Sequence, residues 1–382
     1  SLDLYRHDSL GWSHYRNRRY GRLKNIIFDL YIMALRELKN LEVTGKKVLV
    51  RVDFNVERQD IVHVQEGYKI LVAKATVDAL FRDGAAKVAL LTHYGRPSAK
   101  RDPLFSTERL VEEVSRVLRR PIVFVPACVG PEVVQALESL PEGAALLLEN
   151  VRFFDGEAEN KREFAQALAE PFDAYVNEAF GVSHRAHASV ATLPTLLPSA
   201  AGLHLIDELV HLDALKENPA RPAVAIIGGA KIETKLPLIQ TFQEIYDCVL
   251  VGGKIANEAI DQKMVFNEKV LLPRDFDSDQ RLDIGPMTAA FFAQIIKKAK
   301  TVIWNGPMGK FEEKPYDIGT HVVLQAILES EANVVIGGGE SLAVLEGAGV
   351  IHKIGFVSSG GGAMLEYLSG QTLPGLQVLQ SV

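Results

Sequence analysis

From Lys46 onward, short apolar runs alternate with longer amphipathic stretches along the chain. The stretches carry apolar residues at the three- and four-residue spacing of a helix, and the short runs have the length of strands. Because the runs are largely apolar, we expect both faces of each strand to be covered and helical crossovers to link parallel neighbours. The predicted strands are KVLVRV, KVALLT, IVFV, ALLLE, AYVNE, AVAIIG, CVLVG, KVLLP, TVIWN, NVVIG and IGFVS. The helices predicted between the strands of the first half are ILVAKATVDALF, TERLVEEVSRVL, PEVVQAL and REFAQALA.

This alternation pauses once, near the middle of the chain. Residues 205–215 form an amphipathic stretch, and the polar, proline-bearing segment KENPARP follows it. The strand pattern then resumes, so the sequence predicts an α/β protein of two halves joined by a helix. The last stretch, QTLPGLQVLQ, has no period, and we expect it to pack as a tail rather than as a further strand-helix unit.

Composition agrees with this plan and excludes some functions. At 382 residues the chain is longer than one ordinary core, and 47% hydrophobic with 24% charged residues is typical of a globular protein. The net charge of −6 argues against a nucleic-acid partner, although it is compatible with a local basic cleft. Cys128 and Cys248 lie far apart and suggest no disulfide framework, so we expect a reducing cytoplasm. No stretch approaches the roughly 18 to 20 apolar residues of a membrane span.

The first 32 residues differ from the rest, because Arg, Tyr and His crowd together in HYRNRRYGR without a clear period. We expect residues 1–32 to be a poorly ordered or adventitious leader, with Met33 as an alternative start. The apolar run from Ile26 to Leu35 is short, is interrupted by Asp29 and lacks a small-residue cleavage site, so it does not predict a signal peptide.

Polar and largely basic residues follow four predicted strands of the first half. Ligands of such sheets bind at the carboxyl ends of the strands, so these residues should share one edge. Each alone could be an ordinary loop residue, but together their arginines and histidines predict a basic basin for a small anion, with Asp and Asn for its hydroxyls. The residues are Asp53, Asn55, His93, Arg96, Asn150, Arg152, His184, Arg185 and His187.

The densest of these segments, FGVSHRAHAS at 180–189, leaves three interpretations open. His184 and His187 would share a helix face and could bind zinc, but a third ligand is needed and no H-E-x-x-H is present. Arg185 repels a cation and matches a carboxylate or phosphate, which favours an anion pocket. A surface turn is the third interpretation.

Glycine-rich segments follow the strands of the second half. Glycine lets backbone approach a ligand, and a helix that begins just after it offers N–H groups to phosphate, so a nucleotide site is expected. Tight strand-to-helix turns are the alternative. Neither G-x-x-x-x-G-K-[ST] nor a G-x-G-x-x-G after a strand occurs, which excludes a Walker-type site and weakens a dehydrogenase. The segments are GGAKIETK (228–235), GGK (252–254), NGPMG (305–309), GGGES (337–341) and SSGGG (358–362).

Charged residues within these segments suit a polyphosphate. Lys231 and Lys235 stand four residues apart where a helix begins, and two ammonium groups on one helix face would repel without such a ligand. Glu312 and Glu340 follow two different strands and could serve a ribose hydroxyl and a magnesium ion. One half with an anion basin and another with a nucleotide site suggest group transfer between them.

Taken in order, these segments resemble the phosphoglycerate kinase family, from about residue 33 to the end. The combination of WNGPMG-x-FE with HRAHAS makes the resemblance specific. It implies two Rossmann-like parallel-sheet lobes joined by a hinge helix: a lobe at 33–203 for 3-phosphoglycerate, and the hinge helix with the nucleotide lobe at 204–382. The tail, 371–382, is expected to pack back on the first lobe. The matching segments are RVDFNV, THYGRP, LLLENVRFF, FGVSHRAHASV, IIGGAK, DIGP, WNGPMGKFE, VIGGGES and SSGGGAMLEYL.

The resemblance implies reversible, Mg²⁺-dependent phosphoryl transfer between 1,3-bisphosphoglycerate with ADP and 3-phosphoglycerate with ATP, in line and on hinge closure. It makes FGVSHRAHAS an anion pocket. The implied substrate-binding residues are Asp53, Phe54, Asn55, Lys69, His93, Tyr94, Gly95, Arg96, Arg152, His184 and Arg185. The implied nucleotide-binding residues are Gly229, Ala230, Lys235, Gly253, Asn305, Pro307, Glu312, Gly338, Gly339, Glu340 and Ser341, with Glu340 also as the metal ligand. The residues implied in the transfer itself are Lys69, Lys231, Lys235, Gly338 and Gly361.

Four features depart from the family pattern. Lys69 stands where the family has an arginine, which keeps the charge but loses the planar fork, so a slower enzyme is expected. Glu340 replaces the magnesium-binding aspartate, and Thr234 replaces an aspartate before Lys235. The stretch from Gly253 to Asp283 is much shorter than in the family, which is expected to loosen the adenine side.

Two other functions stay open from the sequence. A catalytically impaired relative would bind nucleotide without turnover, and the substitutions at residues 69, 234 and 340 motivate it. A Rossmann dehydrogenase would bind NAD, but its fingerprint is missing. The trimmed adenine side also admits another nucleoside triphosphate. The family expectation is a cytoplasmic monomer with small-molecule substrates and with neither a nucleic-acid nor a membrane partner.

Overall fold

Two six-stranded parallel sheets organise the computed structural model, which describes residues 35–55, 65–97 and 101–380. The leader expected at residues 1–32, and Met33, lie outside the described residues. The first sheet contains β1 (Lys47–Arg51), β2 (Lys87–Leu91), β3 (Ile122–Val125), β4 (Ala145–Leu148), β5 (Ala174–Asn177) and β6 (Ser199–Ala201). The second contains β7 (Ala223–Ile227), β8 (Cys248–Val251), β9 (Val270–Leu271), β10 (Thr301–Asn305), β11 (Asn333–Gly337) and β12 (Phe356–Ser358).

Helices lie between most of these strands, as the alternating pattern predicts. In the first half they are α1 (Gln65–Arg82), α2 (Val111–Leu118), α3 (Pro131–Ser139), α4 (Asp155–Ala158) and α5 (Arg162–Ala169). The long α6 (Leu203–Glu217) joins the halves. The second half has α7 (Ile232–Ile245), α8 (Gly253–Asp261), α9 (Pro286–Ile296), α10 (Ile318–Glu329), α11 (Gly339–Gly347), α12 (Gly361–Leu368) and α13 (Pro374–Gln377).

The predicted strands are all present, and both sheets are covered on their two faces. In β1, Val48 and Val50 pack into one apolar cluster while Leu49 packs into another on the opposite face. In β7, Val224 and Ala225 divide in the same way between two clusters. The short strand β6 was not predicted, because its sequence SAA is not a β-branched run.

Strand order places one switch point in each sheet. The first sheet has the order β3-β4-β2-β1-β5-β6, so the chain reverses its direction of winding between β1 and β5. The second has the order β12-β11-β10-β7-β8-β9, which is the Rossmann order with its switch point between β7 and β10. Ligands of such sheets bind at these points, beyond the carboxyl ends of the strands.

The two halves share contacts around α6 and the tail. Leu205 and Leu209 of α6 are buried in a cluster that also contains Phe180 of the first half. In the tail, the backbone N–H of Gly375 donates to the Ser183 carbonyl at 2.9 Å. The boundary at residues 203 and 204 and the hinge role of α6 stay predictions. Within the described residues, no helix is both long and apolar enough to cross a membrane.

Candidate active site

The loops after β1 and β5 meet at the switch point of the first sheet. Asp53 lies so close to the second loop that a Cβ added to Gly181 would come within 2.5 Å of Asp53 Oδ2. Lys69 reaches the same carboxylate from α1, with Nζ 3.5 Å from Asp53 Oδ2, and it donates to the Asn55 carbonyl at 3.0 Å. We call this region the anion basin; it comprises Asp53, Asn55, Lys69, His93, Gly95, Arg96, Arg152, His184 and Arg185.

Asn55, Gly95 and Arg152 tie three strand ends of the basin together. Asn55 Oδ1 accepts a hydrogen bond from the Gly95 N–H at 2.7 Å, and the Gly95 carbonyl accepts one from Arg152 Nη1 at 2.6 Å. Asn150 Oδ1 accepts from the Arg152 N–H at 3.0 Å, which fixes the start of that loop. Burial and neighbouring cations lower the pKa of Arg152 to about 10, so the group keeps its charge at neutral pH.

The histidines add no positive charge to the basin. Burial, followed by the guanidinium of Arg51 and other nearby cations, holds the pKa of His93 well below its usual range. Burial and Arg185 lower the pKa of His184, and they lower that of His187 to about 4. At neutral pH the positive charge of the basin therefore comes from Lys69 and the arginines rather than from the histidines.

Three predicted substrate-binding residues are placed differently from one another. The side chains of Phe54 and Tyr94 are 0% and 2% exposed and pack in the core, so only their backbone lies near the basin. Arg96 is exposed, and its charge helps to lower the pKa of Arg152.

Of the open interpretations of FGVSHRAHAS, the zinc site has no support, because no group of three metal-ligating residues occurs in the described ranges.

Glycine loops meet at the switch point of the second sheet. Gly229 and Gly306 have φ of +99° and +93°, which only glycine adopts readily. The Gly229 N–H donates to the Pro307 carbonyl at 3.0 Å, and a Cβ at Gly228 would lie 2.0 Å from that same oxygen. From the next strand, the Gly253 N–H donates to Met308 O at 2.7 Å. We call these loops, with Gly338 to Ser341, the glycine cluster.

Lys235 projects from the first turns of α7 into the glycine cluster. It is 9% exposed, and its Nζ donates to the carbonyls of Gly228 at 2.6 Å and Asn305 at 3.3 Å. Burial lowers the pKa of Lys235 to about 8, although Glu340 opposes this. The buried Asn305 Nδ2 has no hydrogen-bond partner among the described residues, and a Cβ on Gly338 would lie 3.1 Å from it. A phosphate oxygen would satisfy such an amide.

Glu340 lies beside these groups and suits the magnesium ion of the resemblance. A Cβ on Gly229 would lie 3.0 Å from both Glu340 Oε2 and Lys235 Nζ, so carboxylate and ammonium face the same loop. Mg²⁺ is commonly held by one or two carboxylates together with substrate phosphates, which this single carboxylate fits. Ser341, next along the chain, accepts the Gly306 N–H at 2.7 Å and links two loops of the cluster.

The remaining nucleotide-side residues lie at the surface of the cluster. Lys231 is the extended residue before α7 and is exposed, so it does not share a helix face with the buried Lys235 as expected. Thr234 donates to the Lys231 carbonyl at 2.9 Å and thus supports the backbone at the start of α7. Three further residues are exposed: Ala230, Glu312 and Gly339.

The N-terminus of α12 lies between the basin and the glycine cluster. A Cβ on Gly361 would lie 3.9 Å from Gly338 Cα, while a Cβ on Gly362 would lie 3.5 Å from His184 Nε2. Helix α12 spans eight residues, and its first N–H groups have no acceptor within the helix. Because Gly361 lies near one half and Gly362 near the other, these N–H groups face a space bordered by both halves. The family resemblance predicts this position for the N-terminus of the helix that begins at residues 360–362.

Sequence reasoning missed three buried residues beneath the basin. Arg51, Ser189 and Glu157 form a hydrogen-bonded chain with full burial. The sequence does contain an indication of this buried network, since Arg51 is the one arginine within the apolar strand sequence KVLVRV. Charged side chains in such a strand need a buried partner.

The chain resembles known proteins over nearly its whole length. The family model described as phosphoglycerate kinase matches residues 38–275 and 267–371. Phosphoglycerate kinase of Desulfosudis oleivorans is 38% identical over 392 residues, covering 91% of this chain and 99% of the relative. That of Rubrobacter xylanophilus is 39% identical, covering 91% and 98%.

Solved structures agree with these sequence comparisons. The crystal structure of phosphoglycerate kinase from Pyrococcus horikoshii has a TM-score of 0.79 at 28% identity, covering 90% of this chain and 98% of that one. The structure from Coxiella burnetii has a TM-score of 0.74 at 30% identity, with the same coverage. Family model, relatives and fold together show that the chain belongs to the phosphoglycerate kinase family.

Proposed function

We propose that the chain is an active phosphoglycerate kinase, which transfers a phosphoryl group reversibly between 1,3-bisphosphoglycerate with ADP and 3-phosphoglycerate with ATP. The observation that carries this proposal is the N-terminus of α12, which borders the glycine cluster at Gly338 and the anion basin at His184. A helix N-terminus carries a partial positive charge and free N–H groups. Such a group, between a basin for one anion and a cradle for another, suits a phosphoryl group passing from one to the other.

The basin would bind the acid substrate. Arg152 and Arg185 offer planar guanidinium groups, which match a carboxylate or phosphate, and Lys69 adds a third charge. Asp53 and Asn55 offer oxygens for the hydroxyl. Because His93 and His184 are neutral, they can accept or donate single hydrogen bonds without adding charge.

The glycine cluster would hold the nucleotide phosphates with backbone N–H groups and with Asn305 Nδ2. Lys235 would neutralise charge on the transferred group, and Lys231 would approach it from the surface. Mg²⁺ held by Glu340 would supply further neutralisation of the phosphate charge. Phosphoryl transfer needs positioning and charge neutralisation rather than a covalent enzyme intermediate, and the described groups provide both.

Closure of the halves about α6 would bring the two substrates into line.

We further propose a cytoplasmic monomer without a nucleic-acid partner. The net charge of −6 argues against a nucleic-acid partner, and the cytoplasmic monomer follows the family expectation. Size-exclusion chromatography with light scattering tests the assembly, and a dimer mass would overturn this part.

The activity is tested by ADP release from Mg-ATP, with 3-phosphoglycerate present or omitted and the acyl phosphate continuously removed. Turnover only with both substrates and Mg²⁺ is expected. Binding of both ligands without turnover would instead identify an impaired relative, and turnover that prefers another nucleoside triphosphate would correct the nucleotide.

A further inference from the structure

Beneath the anion basin lies a buried polar network that the proposed mechanism does not use. Arg51 ends β1, Glu157 lies in α4, and Ser189 is the last residue of the segment FGVSHRAHAS; they are 1%, 0% and 0% exposed. Buried charges are costly unless they are paired and hydrogen-bonded. Because these three residues lie under the basin, we expect them to support its function.

The three side chains form a chain of hydrogen bonds with a fixed direction. Arg51 Nε donates to Ser189 Oγ at 2.9 Å, and Ser189 Oγ donates to Glu157 Oε1 at 2.6 Å. The Ser189 N–H also donates to Glu157 Oε2 at 2.9 Å. Because a guanidinium can only donate, the hydroxyl must accept from Arg51 and donate to Glu157. This chain, together with the hydrogen bond that Arg51 Nη1 donates to the Val52 carbonyl, fixes the plane of the Arg51 guanidinium.

A second nitrogen of that guanidinium faces His93. Arg51 Nη2 lies 3.3 Å from His93 Nδ1, so Nδ1 must accept and the proton of a neutral ring must lie on Nε2. Asp53 Oδ1 lies 3.9 Å from the same Nδ1 and would favour the opposite tautomer. The charged donor is the closer of the two, and it decides the tautomer.

We propose that Arg51, Ser189 and Glu157 are positioning residues that hold His93 as its Nε2–H tautomer at the floor of the anion basin, as a fixed hydrogen-bond donor to 3-phosphoglycerate. The identity of the ligand rests on the proposed function, whereas the tautomer is a property of the free protein. Other charges around His93 come from Lys69, Arg152 and Arg185, all of which disfavour an imidazolium.

The tautomer is measured by long-range ¹H–¹⁵N spectra of the histidines in the full chain at pH 7, with His93 assigned by His93→Gln. Wild type is expected to show Nε2–H. Arg51→Met removes the donor but keeps the length of the side chain, and His93 should move toward the Nδ1–H form facing Asp53. Ser189→Ala removes the hydrogen bond of Nε but leaves that of Nη1 to the Val52 carbonyl, so it should give a mixture of tautomers.

Binding gives the second readout. Calorimetric affinity for 3-phosphoglycerate should fall about tenfold in Arg51→Met and Ser189→Ala, the effect of one hydrogen bond to a charged group, while Mg-ADP affinity stays unchanged. Ser199→Ala is the matched control, because Ser199 is also buried in the first half but donates to Pro194 O at 2.8 Å. Arg120→Met is the control for arginine, since Arg120 donates to Gly143 O at 2.7 Å, away from His93.

A folded Arg51→Met or Ser189→Ala protein that keeps the wild-type tautomer would overturn the proposal, as would Nδ1–H in wild type. Equal loss of affinity for both ligands, with the tautomer unmoved, would show a merely structural role and also overturn it. If Arg51→Met does not fold, Ser189→Ala decides alone, with restoration by Ser189→Thr as the supporting result. Nε2–H in a wild type that binds no 3-phosphoglycerate would refute the proposed function while supporting the tautomer.

Discussion

The anion basin and the glycine cluster prepare for anions by different means. The basin is built of side chains, with charges on Lys69, Arg152 and Arg185 and hydrogen bonds that aim them. The cluster is built of backbone packed so closely that a Cβ at Gly228 has no room, and it has one buried cation, Lys235, among the residues named for it. A site made of several charges should lose function gradually as they are removed. A site made of close backbone and one ammonium should lose it abruptly.

The sharpest test of this contrast is Lys235→Met, which keeps the volume and removes the ammonium. We expect kcat to fall by about 10³, since a preorganised group facing developing charge is worth this much. ADP release under saturating substrates measures the effect. Lys297→Met is the control, because Lys297 is exposed, lies outside the glycine cluster and pairs with Glu329 at 2.7 Å. A loss of less than tenfold would remove Lys235 from the transfer.

The backbone of the cluster is tested next by Gly228→Ala. Its Cβ would lie 2.0 Å from the Pro307 carbonyl and 2.6 Å from that of Gly306, so the loops must move apart. We expect the free energy of unfolding to fall by about 2 kcal/mol, with weaker Mg-ADP binding and unchanged 3-phosphoglycerate binding. Denaturant titration and calorimetry measure these quantities. Gly347→Ala is the control, because nothing lies within 4 Å of its added Cβ. Equal effects of both variants would contradict close packing.

Alkaline pH should separate the two regions without mutation. Burial lowers the pKa of Lys235 to about 8, whereas Arg152 has a pKa of about 10. The free protein therefore loses the Lys235 charge as the pH rises through 8, and Mg-ADP affinity should fall about tenfold between pH 7 and pH 9. Affinity for 3-phosphoglycerate should stay constant over this range. Lys235→Met should abolish the pH dependence of Mg-ADP affinity, and its persistence would assign it to another group.

Stability should change in the opposite direction over the same pH range. Between pH 8 and 10.5 the folded protein has released the Lys235 proton that the unfolded chain still holds. The contribution of Lys235 to the free energy of unfolding therefore rises with pH in this window. Comparing denaturant midpoints of wild type and Lys235→Met at pH 7.5 and 9.5 isolates this contribution.

The smallest effect is expected for Lys69→Arg in the basin. Lys69 donates to the Asn55 carbonyl and faces Asp53, and an arginine would keep these charges while adding a planar fork. We expect kcat to rise about threefold, which corresponds to a smaller free energy than that of a typical neutral hydrogen bond. A lower kcat at saturating substrates would show that the basin is fitted to lysine. Lys74→Arg, outside the basin on the same helix, is the control.

The parallel sheets and the grouping of the basin residues at one sheet edge could be predicted from the sequence because apolar strand runs are followed by polar residues. Carboxyl ends of parallel strands share an edge, so Asp53, His93 and Arg152 could be placed together from residues that follow apolar runs. Their charge state could not, because the pKa of His93 depends on the extent of its burial and on its distances from four cations, which the sequence does not give. Strand β6 was not predicted because its small residues have no strand pattern of their own, and their pairing depends on the neighbouring strand.

The cluster was predicted less completely than the basin. Glycine runs indicate close backbone, but they do not say which carbonyl accepts from Lys235 or that Lys231 lies outside the helix. These depend on the loop conformations at the switch point. Arg51 had a readable signal in its strand, yet its partners Ser189 and Glu157 are 138 and 106 positions away, and only tertiary structure unites them.

The contact of the tail with the first half bears on how the protein is made. Leu35 pairs with Gln380 in an antiparallel bridge, and the Arg36 N–H donates to the Leu379 carbonyl at 2.9 Å. On the ribosome, residues near 35 are made long before those near 380. The first half can therefore build its sheet before the tail exists, whereas the contact of Leu35 and Arg36 with the tail forms only after both halves have been synthesised.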